Sequence, residues 1–269
     1  MTLELPTVDY DRIVEDIIEF IRETVEKAGA SGVVLGLSGG VDSSLTATLC
    51  TRALGKDKVL TVIMPVKFTP KEDIEDAKDL AKWLGIRSKE VSIDGISRSF
   101  FNELGCDEED SKQKIPIANL RARIRMVILY YYANLYNYLV AGTGDKSEIL
   151  IGYFTKYGDG GADFLPIGHL YKTYVRELSR HLGLPERIAY KPSSPQLYPG
   201  HKATDEIPIG YEKLDPILYG LFELNLSPDI VSAEVGVPID IVKEVLRRFE
   251  VTRHKRSLPP RIADSSIET

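Results

Sequence analysis

The chain has 269 residues, enough for one large α/β domain or two small ones, and its 43% apolar and 28% charged residues suit a globular protein with a sizeable core. A formal net charge of -6 argues against nonspecific binding to nucleic acid or an anionic membrane. Cys50 and Cys106 form neither a CxxC pair nor a zinc spacing, no stretch approaches the roughly 18 apolar residues of a membrane span, and Met1 to Tyr10 lacks a basic-then-apolar leader, so a cytoplasmic protein with reduced thiols is expected.

Ile13, Ile17, Ile18, Ile21 and Val25 recur at helical spacing with acids opposite, which predicts a helix over 9–28 ended by Gly29, Ser31 and Gly32. Val33 to Leu37 is a short apolar run suited to a buried parallel strand. A helix over 41–54, a second buried strand over 59–64, a helix over 71–84, a third strand over 87–93 and a short helix over 96–104 follow. The segment 106–114 is polar and reads as a loop. A long helix over 117–138 then carries Ile117, Leu120, Ile124, Val127, Ile128, Tyr131 and Leu135 on one stripe.

A fourth strand is expected over 138–141 and a helix over 171–182, stopped by Gly183 and Pro185. Residues 190–210 hold several prolines and no periodicity, the mark of a functional or mobile loop. Residues 214–249 read as two or three short helices. Alternating strands and helices predict a doubly wound parallel sheet in one α/β domain, 1–269, with a helical C-terminal extension.

The string Ser38-Gly39-Gly40-Val41-Asp42-Ser43-Ser44 joins the first strand to the second helix. Its glycines let backbone N–H groups approach an anion, and the helix N-terminus adds positive potential. Asp42 would repel a phosphate unless a divalent cation lay between them, which points to Mg²⁺. The Gly-Lys-Ser/Thr end of a Walker A loop is missing. A tight turn with a capping serine would account for a bare Ser-Gly-Gly, but poorly for all seven residues.

The string resembles the loop of the N-type ATP pyrophosphatases, which include NAD, GMP, asparagine and argininosuccinate synthetases. Further motifs narrow the resemblance: Asn119 to Met126, Gly142 to Glu148, Gly152 to Gly160, Asp163, Lys172, Lys191 to Ser194, Asp205-Glu206 and His254-Lys255. In this order and at these intervals they are similar to the NAD synthetases along nearly the whole chain. The resemblance implies an adenine nucleotide alpha-hydrolase-like fold. It implies amidation of deamido-NAD to NAD through an acyl-adenylate, with ATP, ammonia and Mg²⁺, in a homodimer.

It also implies roles for residues. ATP would meet Gly36, Leu37, Ser38, Gly39, Gly40, Val41, Asp42, Ser43, Thr143, Lys172 and Ser194. Deamido-NAD would meet Arg123, Lys156, Asp163, His254 and Lys255, and the metal Asp42 and Glu148. Arg121 and Arg125 share a helix face and Arg123 points nearly opposite, so the three cannot serve one site; family spacing favours Arg123. Taken singly, most of these have a plainer reading: Thr143 as a helix cap, Glu148 as a first-turn acid, Lys172 and His254-Lys255 as solvated surface. Asp145 stands where many relatives carry a neutral residue, and bears on the metal site or pairs with Lys146.

No catalytic cysteine or triad is needed for such a reaction. Residues 1–30 are too few for a glutaminase, so free or partner-supplied ammonia is expected. Two rival classes stand beside this reading. A sulfur-transfer tRNA enzyme would want an RNA-binding appendage or a cysteine pair. A nucleotide sensor would bind ATP without turnover.

Overall fold

The computed structural model describes residues 3–262. In chain order the elements are α1 (Tyr10–Lys27), β1 (Gly32–Gly36), α2 (Val41–Leu54), β2 (Val59–Ile63), α3 (Lys71–Leu84), β3 (Arg87–Glu90), α4 (Asp94–Leu104), α5 (Lys114–Tyr136) and β4 (Tyr138–Val140). They continue with α6 (Lys146–Ile151), α7 (Lys172–His181), α8 (Glu186–Ala189), α9 (Tyr211–Phe222), α10 (Pro228–Val235) and α11 (Ile239–Val251). No helix among the described residues is long and apolar enough to cross a membrane.

The four strands pair in parallel in the order β3-β2-β1-β4. The order reverses between β1 and β4, so a crevice opens at their carboxyl ends, where open α/β sheets bind ligands. Side chains alternate across the sheet as the pleat requires. Val33 and Leu35 join one core beneath α1, α2 and α7, and Val34, Leu60 and Val62 join a second beneath α5. A third core packs Leu214, Ile217 and Leu218 of α9 against α10 and α11, with Ile151 of α6. The helical extension thus has its own interior, built onto the helix that follows β4.

The elements depart from the sequence pattern at the third strand and after α7. The third strand stops at Glu90, although Val91 and Ile93 still donate to the carbonyls of Ile63 and Pro65. Pro65 has no N–H to return, so the ladder lapses there. β3 is the sheet's exposed edge, and its sequence Arg-Ser-Lys-Glu discourages pairing with another chain. The short α8 was not foreseen.

The apolar stripe of α5 also divides. Ile117 and Ile124 are buried and Leu120 and Ile128 pack toward the sheet, whereas Val127, Tyr131 and Leu135 are 60%, 62% and 54% exposed. A stripe this wide exceeds what one sheet face can cover. The neighbouring tyrosines are mostly engaged. Tyr132 stacks on Tyr136 at 6.3 Å, Tyr136 meets Tyr138 in a tilted contact at 5.8 Å, and Tyr130 donates to Asp163.

Candidate active site

β1 delivers the chain to the crevice, and the serine-glycine loop turns it into α2. Gly39 is required twice over. Its φ is +78°, and a Cβ there would lie 2.3 Å from the carbonyl oxygen of Asp73. Two serines tie the loop down. Ser43 Oγ accepts from Ser38 N at 3.2 Å and donates to Gly40 O at 3.1 Å, and Ser38 Oγ accepts from Gly40 N at 3.3 Å. Gly40 caps α2 without a side chain, so the first amides of the helix have no intrahelical acceptor and face the crevice side. This is a seat for an anion.

Beside it lies a buried charge cluster. Lys172 opens α7 and is wholly buried. Its ammonium donates to both oxygens of Asp42 at 2.7 and 2.8 Å and to Glu148 Oε1 at 2.9 Å. Those bonds use its three protons. Asp145 Oδ2 lies 2.7 Å from Nζ, yet it is buried without a hydrogen bond. Asp145 also caps α6, accepting from Glu148 N at 2.9 Å.

The pairing of Asp145 is therefore with Lys172, and Lys146 instead meets Glu223 and Tyr171. Burial would lower the lysine's proton affinity, but the three carboxylates outweigh it and hold Lys172 well above its ordinary value. Burial pushes Asp145 up to about 6 and Glu148 well above the carboxylate range, with Asp42 raising both.

Asp42, Asp145 and Glu148 each offer an oxygen within 4.8 Å of the others. One ammonium leaves this hard-oxygen set with excess negative charge and one buried oxygen unbonded. That donor chemistry fits a divalent cation such as Mg²⁺. The third carboxylate was legible only as a departure from the family pattern.

A cavity of about 440 Å³ joins the anion seat to this cluster. Gly36, Leu37, Ser38, Gly40, Val41, Asp42 and Ser43 line it, together with Thr143, Glu148, Ser194 and Lys255. Thr143 is not a cap, since Asp145 fills that role. Ser194 donates to His201 O from the 190–210 loop, and Lys255 donates to Gly152 O and Phe154 O at 2.7 Å each. Gly39 and Lys172 lie behind the wall, shaping the loop and neutralising the carboxylates.

Arg123, Lys156, Asp163 and His254 do not line the cavity. Arg123 is exposed and donates to Lys156 O at 3.3 Å, while Lys156 donates to His254 O at 2.5 Å. Asp163 accepts from Tyr130 and from Val140 N at 2.7 Å, closing the free edge of β4. Of the three arginines on α5, Arg125 is the one that lines the cavity, donating to Met64 O at 3.1 Å. Arg121 is buried, bonded to Leu197 O and Glu108 beneath Phe68 and Phe101.

Lys191 and Arg125 also line the cavity, although the sequence motifs that contain them assign neither a role. Lys191 pairs with Asp73 at 2.7 Å and Asp76 at 2.5 Å, pinning the start of the 190–210 loop to α3. Burial alone would raise Asp76, but Lys191 and Arg187 hold it below its usual value. Arg125 carried no signal that set it apart from Arg121 and Arg123.

A family model described as NAD synthase matches residues 13–259. The NH3-dependent NAD+ synthetase of Hyperthermus butylicus is 53% identical over 258 residues, covering 96% of this chain and 92% of that one. Among solved structures, NH3-dependent NAD synthetase from Campylobacter jejuni aligns with a TM-score of 0.80 at 35% identity, over 96% of this chain and 100% of that one. NMN synthetase from Francisella tularensis aligns with a TM-score of 0.82 at 29% identity, over 95% and 99%.

Proposed function

Because this chain belongs to the NAD synthase family, we propose that it amidates the nicotinate carboxylate of deamido-NAD with ammonia, consuming ATP and releasing AMP and pyrophosphate. The observation that carries this reading is the meeting of the serine-glycine loop with Asp42 and Glu148 at one cavity, with Asp145 buried beside them. A carboxylate is a poor acyl donor. Its oxygen attacks the α-phosphorus of ATP, the bond to the β-phosphate oxygen breaks, and an acyl adenylate forms. Ammonia then adds to the carbonyl carbon, gives up one proton to solvent, and AMP departs with the bonding pair.

The chain's own residues orient and neutralise. The amides at the head of α2, with Ser38 and Ser43, hold phosphate oxygens in place. Asp42, Asp145 and Glu148 would hold Mg²⁺, which when bound supplies positive charge against the leaving pyrophosphate. Lys172 keeps those carboxylates together and offsets part of their charge. Thr143 and Ser194, which line the same cavity, contact the nucleotide, and Lys255 reaches the dinucleotide. No side-chain nucleophile is required.

Two copies of the chain form a cytoplasmic homodimer through the outer face of α5. Val127, Tyr131 and Leu135 supply an exposed apolar stripe there, and Arg123 lies one turn before it. Arg123, Lys156 and His254 are linked to one another outside the cavity, as residues would be that meet the far half of the dinucleotide near a subunit boundary.

Mass spectrometry of NAD and AMP after incubation with deamido-NAD, ATP, Mg²⁺ and ammonium tests the reading. Equimolar NAD and AMP are expected, with glutamine unable to replace ammonium and nicotinate mononucleotide a poor substitute for deamido-NAD. Tight ATP binding without AMP would instead identify a nucleotide sensor. Turnover on glutamine would refute the single-domain, ammonia-using assignment.

A further inference from the structure

The helical extension reaches into the charge cluster through one side chain. Asp215 sits in the middle of α9 and is completely buried. Its carboxylate accepts three hydrogen bonds: from Ser147 Oγ at 2.6 Å, from Thr173 N at 2.8 Å and from Thr173 Oγ1 at 2.7 Å. Ser147 Oγ in turn accepts from Lys172 N at 3.0 Å. Ser147 precedes Glu148 in α6, and Thr173 follows Lys172 in α7. One carboxylate therefore ties together the first turns of the two helices that carry a cluster carboxylate and the cluster ammonium.

The arrangement answers a local need. α7 begins after Tyr171, whose side chain does not cap it, and an amide of its first turn must find an acceptor elsewhere. Asp215 caps α7 from another element, and its charge suits a helix N-terminus. Four residues earlier on the same face of α9, the ring of Tyr211 lies 5.2 Å from Lys172 Nζ. α9 thus underlies Lys172 at two points.

We propose that Asp215 is a positioning residue for the Asp42–Asp145–Glu148–Lys172 cluster, holding α6 and α7 in the register that lets the three carboxylates share one cation. The inference rests on the assignment of that cluster as the Mg²⁺ site. The hydrogen-bond pattern makes the residue type specific. All three partners donate, so the group must be an acceptor throughout. In Asp215→Asn the amide would turn its own N–H either toward Thr173 N–H or toward Ser147 Oγ, which already accepts from Lys172 N. Either way a donor that now has a charged acceptor loses it.

Full-length Asp215→Asn, Thr173→Val and Asp42→Asn are compared with the parent by Mn²⁺ binding, read by electron paramagnetic resonance in the presence of α,β-methylene-ATP, and by thermal melts. Asp215→Asn is expected to weaken Mn²⁺ binding about tenfold, the lower range for loss of a group that orients metal ligands. The Michaelis constant for deamido-NAD should stay unchanged while kcat falls. Thr173→Val removes one of the three donors, keeps the backbone amide, and should weaken Mn²⁺ binding less, in the same direction. A folded Asp215→Asn with parental Mn²⁺ binding would overturn the proposal, as would a lowered melting temperature with metal binding intact. If Asp215→Asn does not fold, parental Mn²⁺ binding by Thr173→Val overturns it. Unaltered Mn²⁺ binding in Asp42→Asn would bring down the cation-site assignment itself, separately from the part played by Asp215.

Discussion

Replacing Lys172 with methionine probes the charge cluster most directly. The substitution keeps an unbranched chain of similar length but removes the ammonium. Asp42, Asp145 and Glu148 would then face one another with oxygens within 4.8 Å and no cation between them. Losing one partner of a buried ion pair costs about 3–5 kcal/mol, because the charges left behind stay desolvated. At about 2–4 °C per kcal/mol for a chain near this size, the melting temperature should fall by roughly 6–20 °C at neutral pH.

The sign of the pH dependence follows from the carboxylates. Lys172 is held above its ordinary value, so it stays protonated throughout neutral and acid pH, and the pH dependence of its contribution comes from its partners. Asp145 and Glu148 are already raised in the folded chain, and removing the ammonium raises them further. A carboxyl group raised on folding favours the folded state at low pH and loses that contribution as pH climbs through its folded value. The deficit of Lys172→Met should therefore be largest near pH 8 and shrink toward pH 5. Mg²⁺ should raise the melting temperature of the variant more than that of the parent, since the cation meets a fuller charge deficit. Scanning calorimetry at pH 5, 6.5 and 8, with and without MgCl₂, measures all of this. A variant that melts with the parent at every pH would refute the account of the cluster.

Asp42→Asn should depress pyrophosphate release by about a hundredfold or more while the fold persists, because it removes a carboxylate from the cation–phosphate junction; near-parental activity at saturating Mg²⁺ would dismiss that role. Tyr131→Asp puts a charge at the centre of the exposed face of α5 and should shift the light-scattering mass from two chains to one, whereas an unaltered mass, or a parent that is already a fully active monomer, would remove α5 as the interface. Arg123→Ala should weaken deamido-NAD binding more than ATP binding in calorimetric titrations, and equal losses would count against its assignment. Burial pushes the Cys50 thiol up to about 12, so at pH 8 almost none is thiolate. Ellman's reagent should label Cys106 in the folded chain and Cys50 only after denaturation; prompt labelling of both would contradict the burial of α2.

Helices and strands with strong periodicity were legible in the sequence because their patterns report burial directly. α3 ends where its apolar spacing and Gly85 place it, and α2 runs from the loop glycines to Gly55. The serine-glycine loop was legible for a similar reason, since its conformation is encoded within seven consecutive residues, and the positive φ of Gly39 bears out the need for glycine. What the sequence could not hold is which surfaces meet. The exposed half of the α5 stripe depends on how much of that helix one sheet covers. Asp145 read as a neighbour of Lys146, but the turn of a helix carries adjacent side chains apart, and its partner proved to be Lys172, delivered by another helix. Arg121, Arg123 and Arg125 are alike as residues, yet the fold sends one into the core, one outward and one to the cavity. Asp215 gave no local sign at all. Its three donors come from α6 and α7, far away in the chain, and a carboxylate flanked by Leu214 and Pro216 becomes a cap only when packing brings those helix ends against it. Periodicity and local strain are written along the chain, whereas charge pairing across elements is decided by the tertiary packing that sets distance and removes water.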